Sequence, residues 1–253
     1  MTHGVSLKLW FALVCLALIV SGAAARPDDA AKNAPAELQG CWRLTSFESN
    51  GESRDPFGGG EPRWVIKGDK VLYGGEEALQ LVADPSTSPK VIDVKFRDPD
   101  RVYEGIYVIE KDMLKICLNG RADAKERPEA FSTKDRPTWR LLVFEREKAA
   151  PANPTEGLTS YAGVQLRFDA EKKTVVIDVP LKGSPAEKAG LKQGDVILKV
   201  GGAAVTDLMG TVNAIRQARP GAKVELQISR AGKEMSFAFT VGVLPIHYTV
   251  LLV

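Results

Sequence analysis

Ser184-Pro185-Ala186-Glu187-Lys188-Ala189-Gly190-Leu191-Lys192-Gln193-Gly194-Asp195-Val196-Ile197 is the stretch on which the reading of this chain turns. Ser184 is suited to cap a helix, because its hydroxyl can accept from an amide of the first turn, and Pro185 fits the first helical position, where no amide partner is needed. Gly190 ends that short helix in a left-handed conformation, and Gly194-Asp195 turns the chain into an apolar strand at 196–200. Working outward, strands are expected at 163–168, 174–179, 223–229 and 234–241. Asp207 caps a second helix that ends near Ala218, before Pro220-Gly221. On it Leu208, Val212 and Ile215 fall at i, i+4 and i+7 and share one face, which by itself implies only core.

The quoted stretch, together with Tyr161-Ala162-Gly163-Val164, resembles a PDZ domain over about 160–243. The resemblance implies an α+β module, a partly open β-barrel with two helices. In it the strand at 163–168 and the helix beginning at Leu208 wall a groove. A peptide would join that strand as a neighbour, with its terminal carboxylate meeting the backbone amides of Ala162, Gly163 and Val164 in the loop that Tyr161 opens. Gly163 keeps the loop clear of side chain, and Leu166, Val212 and Ile215 surround the last ligand residue. Ala162 departs from the larger aliphatic residue of many members and widens that pocket. Leu208 stands where members that select Ser or Thr carry a histidine. A ligand hydroxyl buried against it would go unsatisfied at ~1–3 kcal/mol, so an apolar third-from-last residue is expected. The expected partners are therefore C-terminal tails of exported or membrane proteins, apolar at the last and third-from-last residues. The chain's own Leu251-Leu252-Val253 fits that rule, so its C-terminus is a candidate ligand; an ordinary added strand over 246–253 is the alternative.

The first half reads as strands throughout, at 42–49, 63–67, 71–73, 79–83, 91–96, 104–109, 113–118 and 138–146. Eight antiparallel strands at this spacing can close into a barrel. Leu38-Gln39-Gly40-x-Trp42, Pro89-Lys90-Val91-Ile92-Asp93, Gly105-Ile106-Tyr107, Leu114-Lys115-Ile116-Cys117 and Glu126-Arg127-Pro128-x-x-Phe131 resemble the lipocalin-like domain family of planctomycete bacteria. Gly40-Cys41-Trp42 is similar to the Gly-x-Trp opening of lipocalins, which implies that Trp42 packs under Arg140 or Arg146 at the closed end. The family implies a barrel and no settled activity.

These readings give a mainly β, two-domain chain, a lipocalin-like antiparallel β-barrel plus an α+β PDZ domain. The expected layout is a signal peptide at 1–25, a flexible leader at 26–36, the barrel at 37–147, a linker at 148–155, the PDZ domain at 156–245 and an apolar tail at 246–253. Lys8, the apolar run Leu9–Val20 and Ala23-Ala24-Ala25 make the signal, and the run falls short of the ~20 residues that a membrane anchor needs. Export to the periplasm or the exterior is expected. There Cys41 and Cys117 could form a disulfide or remain two buried thiols. With 34 Lys+Arg against 32 Asp+Glu, scattered along the chain, no nucleic-acid surface is expected.

Catalysis and cofactors are not expected. The histidines are His3 and His247, no Gly-x-Ser-x-Gly or His-Glu-x-x-His string occurs, and no Cys-x-x-Cys pair suggests a metal. The functional expectation is thus an exported, non-catalytic adaptor that captures apolar tails. The alternatives are a carrier of a small apolar ligand in the barrel, with the PDZ domain for localisation, and an accessory regulator of a separate protease.

Overall fold

The computed structural model describes residues 34–55, 57–97, 100–122, 124 and 126–246. The expected signal, most of the leader, the Asp98-Pro99 turn and the tail from His247 lie outside the described residues.

The chain folds as two β domains. In the first, β1 (Gly40–Ser49), β3 (Arg63–Lys67), β4 (Lys70–Tyr73), β5 (Glu76–Asp84), β6 (Lys90–Arg97), β7 (Asp100–Glu110), β8 (Met113–Asn119) and β9 (Trp139–Glu147) pair in that order. Pairing of β9 back onto β1 closes an eight-stranded barrel, and the three-residue β2 (Glu52–Arg54) extends β1 as a hairpin. Closure leaves no free edge among the eight. Alternation along β1 points Trp42 and Leu44 inward; a bulge between Leu44 and Ser46 shifts the phase by one, so that Phe47 and Ser49 are buried next.

The barrel interior is a packed core: Trp42, Phe47, Trp64, Leu81, Ile92, Tyr107, Ile116 and Phe144 are among the buried side chains that fill it. Trp64 and Phe144 pack as a tilted pair, with centroids 4.8 Å apart and ring planes at 48°. At the closed end Trp42 Nε1 donates to the Leu38 carbonyl at 2.8 Å. Arg146, not Arg140, lies over the Trp42 ring, at 4.0 Å, and donates to the Gln39 and Glu37 carbonyls at 2.7 Å each. This makes Trp42 a structural plug, the pyrrole donor satisfied and the ring face covered by a cation.

Cys41 and Cys117 are separate thiols. The disulfide considered from the sequence is corrected by topology: β9 lies between their strands, with Cys41 opposite Glu147 and Cys117 opposite Leu141. Six residues of strand length plus two strand spacings put them roughly 20 Å apart, far beyond the reach of a disulfide.

The second domain has one sheet in the order β11 (Val164–Asp169), β12 (Thr174–Pro180), β13 (Val196–Val200), β15 (Lys223–Arg230), β16 (Lys233–Thr240), with β14 (Ala203–Ala204) on β13. A separate two-stranded ribbon pairs β10 (Ser160–Tyr161) with β17 (Gly242–Val243). Ser184 caps α1 (Pro185–Lys188), its Oγ accepting from Glu187 N, and Asp207 caps α2 (Leu208–Gln217), accepting from Gly210 N. Ile177, Leu191, Ile197, Leu226 and Ile228 are buried between sheet and helices. Asp195 closes the turn after α1 by a bidentate pair with Arg230, at 2.7 and 2.8 Å, while accepting from Lys192 N at 2.8 Å.

The two domains touch. Leu158 and Ile246 bury their side chains in the barrel's core cluster, Glu61 N donates to Gly157 O at 2.7 Å, and Thr159 Oγ1 bonds the Phe57 carbonyl. Composition marks 148–155 as a spacer, but the residues that follow it are strapped to the barrel. Leu158 and Ile246 bury too little sequence to show as a periodic pattern, and only their placement at one barrel end reveals them.

Candidate functional site

The groove is built around the edge strand β11. On one side it pairs with β12; its other edge ends the sheet and faces α2. A bulge between Gln165 and Leu166 offsets its pairing near the loop.

The loop Tyr161-Ala162-Gly163-Val164 is fixed at both ends. Ser160 and Tyr161 are held in the ribbon with β17, and Ser160 Oγ bonds the Ala218 carbonyl at the end of α2. In between, the loop is anchored through its carbonyls: Ala162 O accepts from Ala186 N at 3.0 Å, and Gly163 O accepts from Leu181 N at 2.8 Å. The capped turn quoted first in the sequence thus serves as the loop's backing. Gly163 has φ +74, and a Cβ built on it would run into Ser184 Cβ and stand 2.8 Å from Ser184 Oγ. Its glycine is needed for close packing against the α1 cap and for a left-handed backbone. The side-chain clearance expected of Gly163 thus serves packing against Ser184.

A recess of about 260 Å³ lies at this end of the groove, walled by Ala162, Gly163, Val164 and Leu166 on the strand side and by Val212 and Ile215 on the helix side; Tyr161 lines its rim. Seven of the eight groove residues expected from sequence are therefore brought together. Leu208, the eighth, is half-buried near the start of α2 and packs on the domain core outside the recess, seven residues from Ile215. Phe168 and Met209, both exposed apolar side chains, lie on the strand and helix at that same far end.

Sequence reasoning missed Arg216, Leu244, Thr159 and Ser160, which also line the recess. Arg216, four residues beyond Val212, was legible from helical spacing. Leu244 was not, because it arrives from the far side of the ribbon, its amide bonded to Thr159 O at 2.9 Å. A larger cavity of about 670 Å³ opens beside the recess between the domains, lined by Gly58, Gly60, Thr159, Ser160, Arg216 and Arg219 among others.

Among the described residues no cluster of His, Cys, Asp and Glu could hold a metal ion, and no helix is long and apolar enough to cross a membrane.

Comparison with known proteins matches residues 160–241 to the family described as "PDZ domain". Over 71 residues the chain is 48% identical to a protein of Chlamydia trachomatis serovar D named "Probable periplasmic serine endoprotease DegP-like", covering 28% of this chain and 14% of that protein. Over 147 residues it is 38% identical to the "Carboxy-terminal processing protease CtpA" of Bacillus subtilis strain 168, covering 55% of this chain and 29% of that protein. The solved "Photosystem II D1 C-terminal processing protease" is 30% identical over 34% of this chain and 24% of its own, with a TM-score of 0.32. The chain thus spans less than a third of the length of either curated relative named here.

The two curated relatives overturn the expectation of a non-catalytic adaptor and of a chain that is not an enzyme, and with it the carrier and accessory alternatives: the sequences it matches are named as proteases. A scarcity of histidines speaks only against a histidine base; serine nucleophiles elsewhere are activated by lysine or by a terminal amine. The carrier reading meets a second obstacle in the aromatic and aliphatic side chains that occupy the barrel interior. What the family match and the fold agree on is the second domain: residues 160–241 form a PDZ domain.

Proposed function

We propose that this chain acts in the proteolytic processing of exported polypeptides, and that the groove between β11 and α2 takes the C-terminal tails by which those polypeptides are selected. The observation that carries the reading is the 260 Å³ recess at the loop end of an edge strand, walled by Ala162, Leu166, Val212 and Ile215. An edge strand offers unpaired main-chain groups for strand addition, and an apolar recess at its end suits one terminal side chain. The amides of Ala162, Gly163 and Val164 receive the terminal carboxylate in this reading, and Leu208 meets the third-from-last residue, so tails ending Leu-x-Val suit both positions. The curated relatives are processing and periplasmic proteases by name, which supports both the proteolytic role and a periplasmic setting. The barrel is proposed to share the lipocalin-like descent that its Trp42–Arg146 plug suggests, and to act as a rigid platform.

The test uses the full chain and a model polypeptide carrying either a Leu-x-Val tail or the same tail ending in Asp-Asp. The apolar tail should bind, and the polypeptide bearing it should be cleaved faster. Val212→Asp, on a half-exposed helix face, should reduce tail binding at least tenfold, which corresponds to ~1.4 kcal/mol. Failure of every apolar tail to bind refutes the groove; binding with no tail-dependent hydrolysis refutes the proteolytic role.

A further inference from the structure

We propose that Arg216 is the counter-ion of the carboxylate on a bound tail, and that the barrel holds it at the mouth of the groove, so that tail recognition belongs to the docked pair of domains. The inference rests on the tail-receiving reading above and adds to it a specificity-determining residue outside the Tyr161–Val164 loop.

Arg216 follows Ile215 in the last turn of α2, and its side chain lines the same recess as Ala162 and Gly163. It also lines the larger cavity between the domains. There its guanidinium lies against the barrel: a Cβ built on Gly58 would be 3.0 Å from Arg216 Nη1 and 3.3 Å from Cζ. The barrel loop that meets it is fixed. Asp55 accepts from Phe57 N at 3.0 Å and from Gly59 N at 2.6 Å, and the Phe57 carbonyl is bonded by Thr159 Oγ1 of the second domain. Asp55 is thereby committed to the loop's own amides. The missing side chain at Gly58 leaves the space that the guanidinium occupies.

Arg63, the arginine on the barrel side of this interface, is already paired, with Glu147 at 2.9 Å. Among the described residues Arg216 makes neither an ion pair nor a hydrogen bond. Arg219 adds a second positive charge to the cavity, against the single carboxylate of Glu156. A guanidinium is an always-charged planar fork that matches a carboxylate bidentately. A tail seated with its last side chain between Leu166 and Ile215 would bring its carboxylate between the loop amides and this fork.

The test measures binding to the full chain of one peptide ending Leu-x-Val, as the free acid and as the C-terminal amide. A charged hydrogen bond of ordinary strength predicts that the acid binds about tenfold more tightly. Arg216→Gln should weaken the acid severalfold, leaving only the difference that the loop amides make, and leave the amide unchanged, while Arg216→Lys should keep more of the difference. Gly58→Asp works from the barrel side: it sets a carboxylate beside the guanidinium, at a backbone of φ +60 that aspartate tolerates better than most residues, and should narrow the difference to the same extent. Thermal unfolding checks that each variant is folded, and should Gly58→Asp fail that check, the exposed Arg216→Gln decides alone. An acid-to-amide ratio that Arg216→Gln leaves intact overturns the role of Arg216 while the groove reading stands. If neither form binds the unaltered chain, both readings fall together.

Discussion

Replacing Gly163 by alanine separates two explanations of why a glycine stands at the centre of the binding loop. If it is there to leave room for a ligand, Gly163→Ala weakens binding and spares stability. The structure predicts the reverse order of effects. At φ +74 an L-residue costs ~1–2 kcal/mol, and the new methyl collides with Ser184 Cβ, for which overpacking costs a further ~1–3 kcal/mol. The sum, ~2–5 kcal/mol, is a large part of what an ordinary domain has. Ser184→Gly removes the opposing Cβ and costs little in itself, since glycine is a tolerable N-cap, inferior to serine by only a few tenths of a kcal/mol. The double variant Gly163→Ala/Ser184→Gly should therefore recover ~1–3 kcal/mol and retain only the backbone penalty. Trp42, Trp64 and Trp139 all lie in the barrel, so fluorescence would report on the wrong domain. Amide hydrogen exchange at Ile197, Leu226 and Ile228, which are buried in the PDZ core, reads the right one. Strictly additive effects of the two substitutions, or an unchanged exchange free energy in Gly163→Ala, would refute the packing argument.

Two more outcomes can be checked independently. Burial by itself would raise the carboxyl of Asp195, but Arg230 and the Lys192 amide outweigh it and hold it below the ordinary carboxylate range. A depressed folded-state value means stability that is present above the unfolded value of ~3.9 and is lost as pH falls through the folded one. Asp195→Asn should thus cost roughly 2–4 kcal/mol at neutral pH, and chemical denaturation should show the variant and parent curves converging below about pH 4; a pH-independent gap would contradict the pairing. The thiols of Cys41 and Cys117 are pushed up to about 11 and about 12, chiefly by burial. Alkylation at neutral pH should label neither until the barrel unfolds, and a reductant should leave the melting temperature unchanged; a shift on reduction would reveal a disulfide.

Much of this fold was legible because its signals are local. The cap-proline-glycine order at 184–190 appears in the structure as α1, and the capped helix from Leu208 runs to Gln217. Alternating apolar residues located all eight barrel strands, since a strand half-buried on one face repeats with period two. Seven of eight expected groove residues line one recess: five come from the contiguous Tyr161–Leu166 segment and two, Val212 and Ile215, share a helix face by i, i+3 spacing, while Leu208, a turn earlier, lies beyond it.

What sequence could not settle depended on partners far away along the chain. The purpose of Gly163 is set by Ser184, the fate of the two cysteines by the strand between them, and the choice of Arg146 over Arg140 by which end of β9 lies opposite Trp42. Counting histidines speaks against one chemistry only, which is why the names of the relatives outweighed it. The local elements of this protein were determined by propensity and periodicity, which neighbours in sequence decide. The closed barrel, the strapped interdomain contact and the place of Arg216 at the groove's mouth were decided by tertiary packing, in which residues from Phe57 to Leu244 meet at distances that no sequence window spans.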